Sequence, residues 1–463
     1  MMSTSQPNAT RKQVVIVGGG FAGLAAAQEL RRADCDVTLI DQRNFHLFQP
    51  LLYQVATGEL SPANIAAPLR AILRRQRNTA VELGEVVGFD LKRHRVLLRD
   101  HELPFDYLVL ATGSTQHYFG HQSWKKFAPG LKTVEDATDI RRRILSAFEV
   151  AERSHDAEQI DECLTFVIVG AGPTGCELAG ALAEVAYQTL AADFRRIDPK
   201  RARILLIDPS GNPLDFYPAP LPVKAAEALQ ELGVKIIRGC YVTDVKENAV
   251  TLHSKADDTD TVIRTRTVLW AAGVKASPLG EALCGQAGIE TGRGGRVPVT
   301  SDCSIEGFPN IFVCGDLAIF IDPDDGELPG LAPVAGQMGR HAAESMKRDL
   351  KNKPRKAFRY FDKGSLAVIG RFRAVGTIGK WKLHGFVAWA IWLLIHLMYI
   401  TRFRNRVLVL IQWGWAFFTR DRSSRLITGP PTEQPAKDIP QESHSAAPDR
   451  RASPSAMSST DPQ

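Results

Sequence analysis

The chain has 463 residues, 44% of them hydrophobic and 23% charged, with a formal net charge of +6. This length exceeds what one hydrophobic core ordinarily serves, so it predicts two large domains and an appendage. The modest charge gives no reason to expect a nucleic-acid partner. The seven cysteines form neither a C-x-x-C pair nor a metal-ligand spacing. We therefore expect free thiols in a reducing compartment and no bound metal.

The N-terminal region begins with an apolar strand, a glycine turn, a helix and a second strand, from Val14 to Asp41 (VVIVGGG, FAGLAAAQELRRADC, DVTLID). Gly18 permits the tight turn, Gly20 lets the main chain approach a pyrophosphate, and Gly23 permits close packing of helix on strand. The helix N-terminus supplies free N–H groups. Asp41 ends the second strand, where a carboxylate can accept both ribose hydroxyls. The pattern predicts a dinucleotide site.

A second unit of the same order starts at Phe166, with its turn at Gly170, Gly172 and Gly175 and an acid at Asp208. An acid at this place repels a 2′-phosphate, which favours NADH over NADPH. The alternative is an acidic strand end without a ligand. Two such units predict an α/β fold with two doubly wound, Rossmann-like domains. Two dinucleotide sites in one chain suggest electron transfer between a held and an exchanging cofactor.

Four further segments complete this organisation. Between Tyr187 and Arg203 the connection is longer than a minimal crossover, and we expect an extra helix there. VLWAAGV (268–274) and NIFVCGD (310–316) are short apolar runs ending in small residues, equally compatible with plain buried strands. Residues 429–463 are rich in Pro, Ser, Ala, Gln and charge, so we expect a disordered tail.

The region before this tail carries two apolar runs, 386–400 and 407–418. Fifteen helical residues reach roughly 22 Å, short of a hydrocarbon core of roughly 30 Å, so neither run should span a membrane. Tryptophans and flanking arginines suit a segment lying in one leaflet against anionic head groups. These residues are Trp389, Trp392, Trp413, Trp415, Arg402, Arg404, Arg406, Arg420, Arg422 and Arg425. A buried helical hairpin or a dimer interface is the alternative.

Two motifs resemble the pyridine-nucleotide flavoprotein superfamily. LVLATG (108–113) resembles the strand that closes its first FAD segment, and NIFVCGD its terminal flavin motif. The resemblance implies that the first unit binds FAD, with Ala111, Thr112 and Gly113 at the cofactor and Asp316 bonding its ribitol chain. The inserted second unit would bind NADH. No His or Cys is placed for covalent attachment, so we expect non-covalent FAD.

The resemblance also implies a division of the chain. The FAD-binding domain would be split over 11–150 and 296–345, with the NADH-binding domain at 151–295. A C-terminal strand and membrane-anchoring helices would occupy 346–428, followed by the disordered tail at 429–463.

Three longer segments are similar to type II NADH:quinone oxidoreductases, which are single-chain, non-pumping respiratory enzymes. They are NFHLFQPLLYQVATGELSP (44–62), residues 113–144, and LPGLAPVAGQMGRHAA (328–343). The resemblance covers about residues 11–428. It implies a peripheral, monotopic enzyme on the cytoplasmic face of the inner membrane, which oxidises NADH through FAD and reduces quinone.

The family resemblance carries three site residues. Glu177 would lie where nicotinamide meets the flavin, although a helix N-terminal glutamate is also favoured by the helix dipole. Lys363, in DKGSLAVIG, would lie near the flavin and quinone, or is an exposed strand-edge lysine. The family often carries A-Q-x-A-x-Q beside the flavin, whereas residues 332–337 are APVAGQ. Gln337 therefore remains, but Pro333 excludes a hydrogen bond to quinone from its position.

Two other functions stay open from the sequence. One is a flavoprotein reductase whose acceptor is a soluble protein, against which the terminal apolar runs argue. The other is a non-catalytic, membrane-docked module that senses NADH. No nucleophile–base pair stands out, as expected where the cofactors carry the chemistry. Association into a homodimer is also left open.

Overall fold

The computed structural model describes residues 11–324 and 326–429. The expectation of a disordered tail falls on residues 430–463, which lie outside this range. Within the described part, the chain builds the two expected parallel sheets, one inserted in the other, and a C-terminal helical segment.

The first sheet has six strands, drawn from both ends of the chain. Their order across the sheet is Ser304–Ile305, Phe308–Val313, Tyr107–Leu110, Lys12–Val17, Cys35–Asp41 and Thr79–Leu83. All neighbours are parallel except the edge pair. The LVLATG strand thus lies between the first strand and the NIFVCGD strand. Because parallel strands end at the same edge, this order gathers the first glycine turn, LVLATG and NIFVCGD at one site.

The second sheet has four parallel strands in the order Val234–Arg238, Arg203–Asp208, Thr165–Val169 and Thr267–Trp270. VLWAAGV thus supplies a strand beside the first strand of its unit. The extra helix expected between Tyr187 and Arg203 is not an α-helix. The structure describes this whole stretch, which contains the end of a π-helical turn at Val185–Thr189 and a 3₁₀ turn at Pro199–Arg201.

Smaller elements surround the two sheets. Three-stranded antiparallel sheets are formed by Val86–Asp90, Arg95–Leu98 and Glu102–Pro104; by Cys240–Val245, Ala249–Ser254 and Thr259–Arg264; and by Ser365–Gly370, Arg373–Ile378 and Trp381–His384. Strand pairs are Phe45–Leu47 with Ala66–Pro68, Ser114–Gln116 with Val274–Ala276, Val297–Pro298 with Ala318–Ile319, and Ile321–Asp322 with Gly326–Glu327. The α-helices are Phe21–Glu29, Leu52–Ala56, Pro62–Ile65, Leu69–Leu73, Val134–Arg153, Ala157–Cys163, Pro173–Glu184, Leu221–Glu231, Pro278–Ala287, Ala332–Asp349, Gly385–Tyr399 and Phe403–Thr419.

The two C-terminal helices, Gly385–Tyr399 and Phe403–Thr419, differ from the apolar runs mainly at the start of the second helix. The second helix begins at Phe403 rather than at residue 407, because Arg402 stands in extended conformation as its N-cap. Arg404 and Arg406 consequently lie within the helix. In the described ranges, no helix is both long enough and apolar enough to cross a membrane.

These helices have a buried and an exposed face, and the buried face corrects the sequence interpretation. Trp392 and Trp413, expected to face lipid, are 2% and 7% exposed and belong to the core that also holds Tyr53. The outer face is apolar and exposed, with Phe403 and Phe418 at 79% and 83% exposure. Its other exposed members are Phe386, Val387, Leu394, Met398, Tyr399, Val407, Leu410, Ile411 and Trp415.

Candidate functional site

The first glycine turn has the shape that a pyrophosphate requires. Gly18 has φ +104°, and a Cβ there would stand 2.4 Å from the Ala111 carbonyl oxygen. A Cβ on Gly23 would stand 1.8 Å from the Gly18 oxygen, so the helix packs directly on the turn. Gly20 caps the helix Phe21–Glu29 without a side-chain hydrogen bond, and open space surrounds it. The helix N-terminus therefore presents free N–H groups to a cleft that a ligand can fill.

The second turn repeats this geometry. Gly170 has φ +101° and lies against Ala271, while a Cβ on Gly175 would stand 1.8 Å from the Gly170 oxygen. Gly172 caps Pro173–Glu184, again with no side-chain cap and nothing within 4 Å of the space a Cβ would occupy. Both turns thus have the same cradle, tight at two glycines and open at the one between.

Each strand-end acid is tied to its own turn. Asp41 accepts hydrogen bonds from the main-chain N–H groups of Gly19 (2.6 Å) and Arg43 (2.7 Å). Asp208 accepts from the corresponding N–H of Ala171 (2.6 Å) and from that of Ser210 (2.8 Å). The carboxylates therefore border the clefts, where a ribose bound beside the turn would meet them.

The residues after the LVLATG strand fit a cofactor at the first turn. The Thr112 hydroxyl oxygen is buried and has no hydrogen-bond partner among the described residues. Gly113 has φ +67°, with open space where a side chain would stand. Such a buried, unpaired polar atom costs free energy unless a bound group satisfies it. FAD bound at this site would explain why the Thr112 hydroxyl, beside the open cradle, is buried without a partner in the described part of the chain.

Asp316 belongs to a chain of polar contacts that the sequence did not reveal. Its Oδ2 accepts a hydrogen bond from the Ser114 hydroxyl at 2.8 Å, and Lys132 Nζ donates to that hydroxyl at 3.1 Å. Ser114 follows LVLATG directly, and this adjacency is the only sequence signal for its role. Lys132 precedes the helix Val134–Arg153 and reaches the site only through the tertiary fold.

A cavity of about 230 Å³ lies between the helix of the second turn and the C-terminal helices. Its apolar lining includes Trp392, Leu410 and Phe417. Its polar lining, called the polar wall below, includes Tyr53, Gln54, Glu59, Glu177, Glu184 and Arg422. Glu177 was predicted from the sequence, whereas Tyr53 and Gln54 were not, although both lie within the segment 44–62 that resembles the family.

Glu177 is one of two carboxyl groups that the helix of the second turn, Pro173–Glu184, contributes to the cavity lining. Burial raises the pKa of its carboxyl well above the usual range, against a smaller lowering by a hydrogen bond from the Val368 main chain. A carboxyl with a raised pKa keeps its proton to higher pH, so Glu177 can serve as a proton donor inside the cavity.

Gln337 and Lys363 are not among the residues that line this cavity. The Gln337 amide donates to the Phe361 carbonyl and accepts from the Phe361 N–H, both at 3.0 Å. It thereby holds the segment leading to Lys363, which is exposed and donates to the Tyr399 hydroxyl at 3.0 Å. Gln337 therefore supports the main chain, and Lys363 sits at the end of the first C-terminal helix.

A buried ion pair joins the end of the C-terminal helices to the cavity. Arg422 is almost fully buried and donates to Glu184 (2.9 Å) and to the Thr57 hydroxyl (2.9 Å), with Glu59 at 3.8 Å. The expectation that Arg422 faces lipid head groups is therefore wrong, because its charge is compensated inside the protein. Arg425 likewise pairs with Asp421 at 2.9 Å and with Asp193.

The comparisons with known proteins agree with this architecture. Residues 12–339 match the family described as pyridine nucleotide-disulphide oxidoreductase. NDH2 from Plasmodium falciparum, solved in complex with NADH, has a similar structure with a TM-score of 0.81 at 19% identity, over 90% of this chain and 100% of that one. The sulfide:quinone oxidoreductase of Aquifex aeolicus has a TM-score of 0.67 at 18% identity, over 85% and 92%. Fold and turns thus define a two-dinucleotide oxidoreductase of this class.

Sequence similarity is higher with two proteins of Mycobacterium tuberculosis. The chain is 46% identical over 432 residues to its type II NADH:quinone oxidoreductase Ndh, covering 92% of both chains. It is 44% identical over 438 residues to NdhA, a second type II NADH:quinone oxidoreductase, again covering 92% of both. The chain belongs to the type II NADH:quinone oxidoreductase family.

Proposed function

We propose that this protein oxidises NADH and reduces a quinone to the quinol, with FAD as non-covalent carrier and without pumping protons. The observation that carries the proposal is the cavity, which joins Glu177 near the second turn to the C-terminal helices with their exposed apolar face. The overall reaction is NADH + H⁺ + quinone → NAD⁺ + quinol, which balances in atoms, electrons and charge.

The two cradles divide the cofactors between them. Residues 11–150 and 296–345 would hold FAD, at Gly18, Gly20, Gly23 and Asp41, at Ala111, Thr112 and Gly113, and at Asp316. Residues 151–295 would hold NADH, at Gly170, Gly172, Gly175 and Asp208. FAD supplies the chemistry of accepting a hydride and releasing two electrons. In our proposal Asp316 binds the ribitol chain, oriented by Ser114.

Glu177 supplies a proton to the reducing site in this scheme. Its carboxyl lines the cavity, and its raised pKa keeps it protonated. Lys363 and Gln337 act at the edge of the quinone path. Gln337 positions the chain at Phe361, and Lys363 donates to the Tyr399 hydroxyl at the end of the first C-terminal helix.

The C-terminal segment would place the enzyme on a lipid surface. The exposed face of its helices supplies the apolar contact, with Arg404 and Arg420 exposed near its polar edges. A peripheral site on the cytoplasmic face of the inner membrane fits the seven free cysteines, which suit a reducing compartment. Quinone is lipid-soluble, so a cavity that opens beside this face needs no aqueous route.

A steady-state assay of the purified protein with NADH and a short-chain quinone tests the proposal. We expect turnover in the range typical of enzymes, 1–10³ per second as an order of magnitude, and flavin that is released when the protein is denatured. Turnover with ferredoxin-type proteins but not with quinone would favour a soluble acceptor. Slow turnover with every acceptor would favour a sensing module and contradict the proposal.

A further inference from the structure

The polar wall of the cavity contains a directed chain of hydrogen bonds that starts on a C-terminal helix. Trp413 Nε1 donates to Gln54 Oε1 at 2.9 Å. Gln54 Nε2 in turn donates to the Tyr53 hydroxyl oxygen at 3.0 Å. All three residues are buried and all three line the cavity. The chain therefore links the second C-terminal helix, Phe403–Thr419, to the helix Leu52–Ala56.

The direction of each bond follows from the chemistry of its donor. The indole nitrogen of tryptophan only donates, so Gln54 must turn its oxygen towards Trp413. Its NH₂ group then faces Tyr53, whose oxygen has to accept. The hydroxyl hydrogen of Tyr53 is consequently left over, and the structure gives it no acceptor within residues 11–324 and 326–429.

The Tyr53 hydroxyl hydrogen is available to a ligand bound in the cavity. Burial raises the pKa of Tyr53 well above its usual range, so the hydroxyl keeps its hydrogen. A hydroxyl whose oxygen accepts a hydrogen bond becomes a stronger donor itself. A quinone carbonyl oxygen gains negative charge during reduction, and a preorganised donor aimed at that oxygen stabilises the charge.

We propose that Tyr53 donates a hydrogen bond to a carbonyl oxygen of the bound quinone, and that Gln54 and Trp413 are positioning residues that aim it. The inference rests on the proposed quinone reduction and adds a residue to it. It also supplies a hydrogen-bond donor to quinone in a chain where Pro333, in place of the family's Gln, cannot donate one. Because Trp413 lies on the second C-terminal helix, the Tyr53 hydroxyl is correctly oriented only when that helix is packed in place.

Tyr53→Phe keeps the ring and removes only the hydroxyl. We expect kcat/KM for a short-chain quinone to fall about tenfold or more, as for loss of one hydrogen bond to a developing charge. NADH oxidation with ferricyanide, which needs no quinone site, should stay unchanged. Tyr118→Phe is the matched control, because Tyr118 is equally buried but bonds the Ala128 carbonyl (2.8 Å) away from the cavity.

A double-mutant cycle tests whether Trp413 acts through Tyr53. Trp413→Phe frees Gln54 to turn and accept the Tyr53 hydrogen, so quinone kcat/KM should fall in the otherwise native protein. In the Tyr53→Phe background the same change should have no further effect. Equal losses in both backgrounds would show that Trp413 matters only for packing, and would overturn its assignment. Should Tyr53→Phe fail to fold, Trp413→Phe alone must still lower quinone turnover and spare ferricyanide.

The proposed function and the proposed role of Tyr53 are contradicted by different results. A native protein that oxidises NADH with ferricyanide but reduces no quinone contradicts the proposed function itself. A native protein that reduces quinone, together with a Tyr53→Phe variant of equal kcat/KM, contradicts only the role of Tyr53. Flavin absorbance and melting temperature of each variant establish that the comparisons are made on folded, loaded protein.

Discussion

Asp208 accepts a hydrogen bond from the main-chain N–H of Ala171 at 2.6 Å, which ties the end of one strand to the glycine turn after another. Asp41 and Gly19 make the same contact in the first unit, also at 2.6 Å. Both acids are thereby held beside the clefts by the turns that they border. Their second oxygens bond the chain two residues on, at Arg43 and Ser210.

This position makes Asp208 the expected determinant of NADH over NADPH, because a 2′-phosphate would meet a fixed negative charge. Asp208→Asn keeps an oxygen for the Ala171 N–H and removes the charge. We expect the ratio of kcat/KM for NADH to that for NADPH to fall on the order of tenfold, or ~1.4 kcal/mol. Asp41→Asn, measured per bound flavin, is the control and should leave the ratio unchanged. A native enzyme that uses both nucleotides equally would rule this role out.

The open space at Gly20 and Gly172 predicts that a substitution at each position weakens the binding of only one of the two cofactors. A methyl group meets no protein atom at either position, so alanine variants should fold normally. The methyl group would instead occupy the pyrophosphate's space, so Gly20→Ala should weaken FAD retention and Gly172→Ala should raise the KM for NADH. Gly285→Ala, also in open space but within the helix Pro278–Ala287, serves as control. Titration of the apoprotein with FAD measures the first effect and NADH kinetics the second.

The raised pKa of Glu177 predicts opposite effects on stability and turnover. The folded protein holds this proton where the unfolded chain has lost it, so this contribution to stability is complete at acidic pH. It is lost as pH rises through the folded-state pKa. Glu177→Gln should therefore melt higher than the native protein at alkaline pH and show less advantage at acidic pH. Its quinone turnover should fall roughly 100-fold, with FAD retained. Full turnover in this variant would remove Glu177 from the mechanism.

The exposed face of the second C-terminal helix predicts membrane attachment that salt does not reverse. Ile411, Trp415 and Phe418 lie on this face, and each apolar side chain contributes roughly 1.5–3 kcal/mol when fully buried. Replacing all three with Ser should lower binding to anionic vesicles at least about 100-fold while FAD remains bound. Val262→Ser with Val87→Ser, two exposed valines elsewhere, is the matched control.

Flotation with vesicles in high salt separates the outcomes of this test. Native protein that floats supports the lipid surface. Native protein that stays in solution as a dimer, and becomes monomeric when the three side chains are replaced, would show that the face is a homodimer interface.

Arg422 predicts a structural role for a residue in the C-terminal segment. Arg422→Met would leave Glu184 and Glu59 without their shared counter-charge, and breaking a buried pair in this way costs about 3–5 kcal/mol. Arg404→Met, at an exposed position of the same segment, should change stability little. Denaturant unfolding of the FAD-loaded proteins measures both. A native-like midpoint for Arg422→Met would show that the pair contributes nothing net.

The local patterns of this chain were enough to predict its architecture. A glycine turn needs particular residues at fixed spacing, since Gly18 and Gly23 have no room for a side chain and Gly20 borders a cleft. Such constraints act within about ten residues, so they are visible in one sequence. The resemblance of NIFVCGD to a terminal flavin motif added a longer-range expectation, and in the structure the strand of this motif lies in the first sheet.

For the C-terminal segment, the prediction of which side chains face lipid was partly wrong. Its apolar length predicted no membrane span, and among the described residues no helix is long and apolar enough to cross a membrane. However, composition cannot tell which face of an apolar helix meets protein and which meets solvent, so Trp392, Trp413 and Arg422 were all assigned to the lipid. Which face is buried is decided by packing against residues more than 200 positions earlier, such as Gln54 and Glu184.

The sequence by itself determined two dinucleotide cradles, the family and the two short apolar helices, because each depends on local spacing and period. Only the tertiary structure decided which side chains share the cavity. Tyr53 and Trp413 are 360 residues apart in the chain, and their connection through Gln54 depends on the direction of two hydrogen bonds. No local pattern encodes that direction, since it is set by an indole that can only donate and by the helix that presents it.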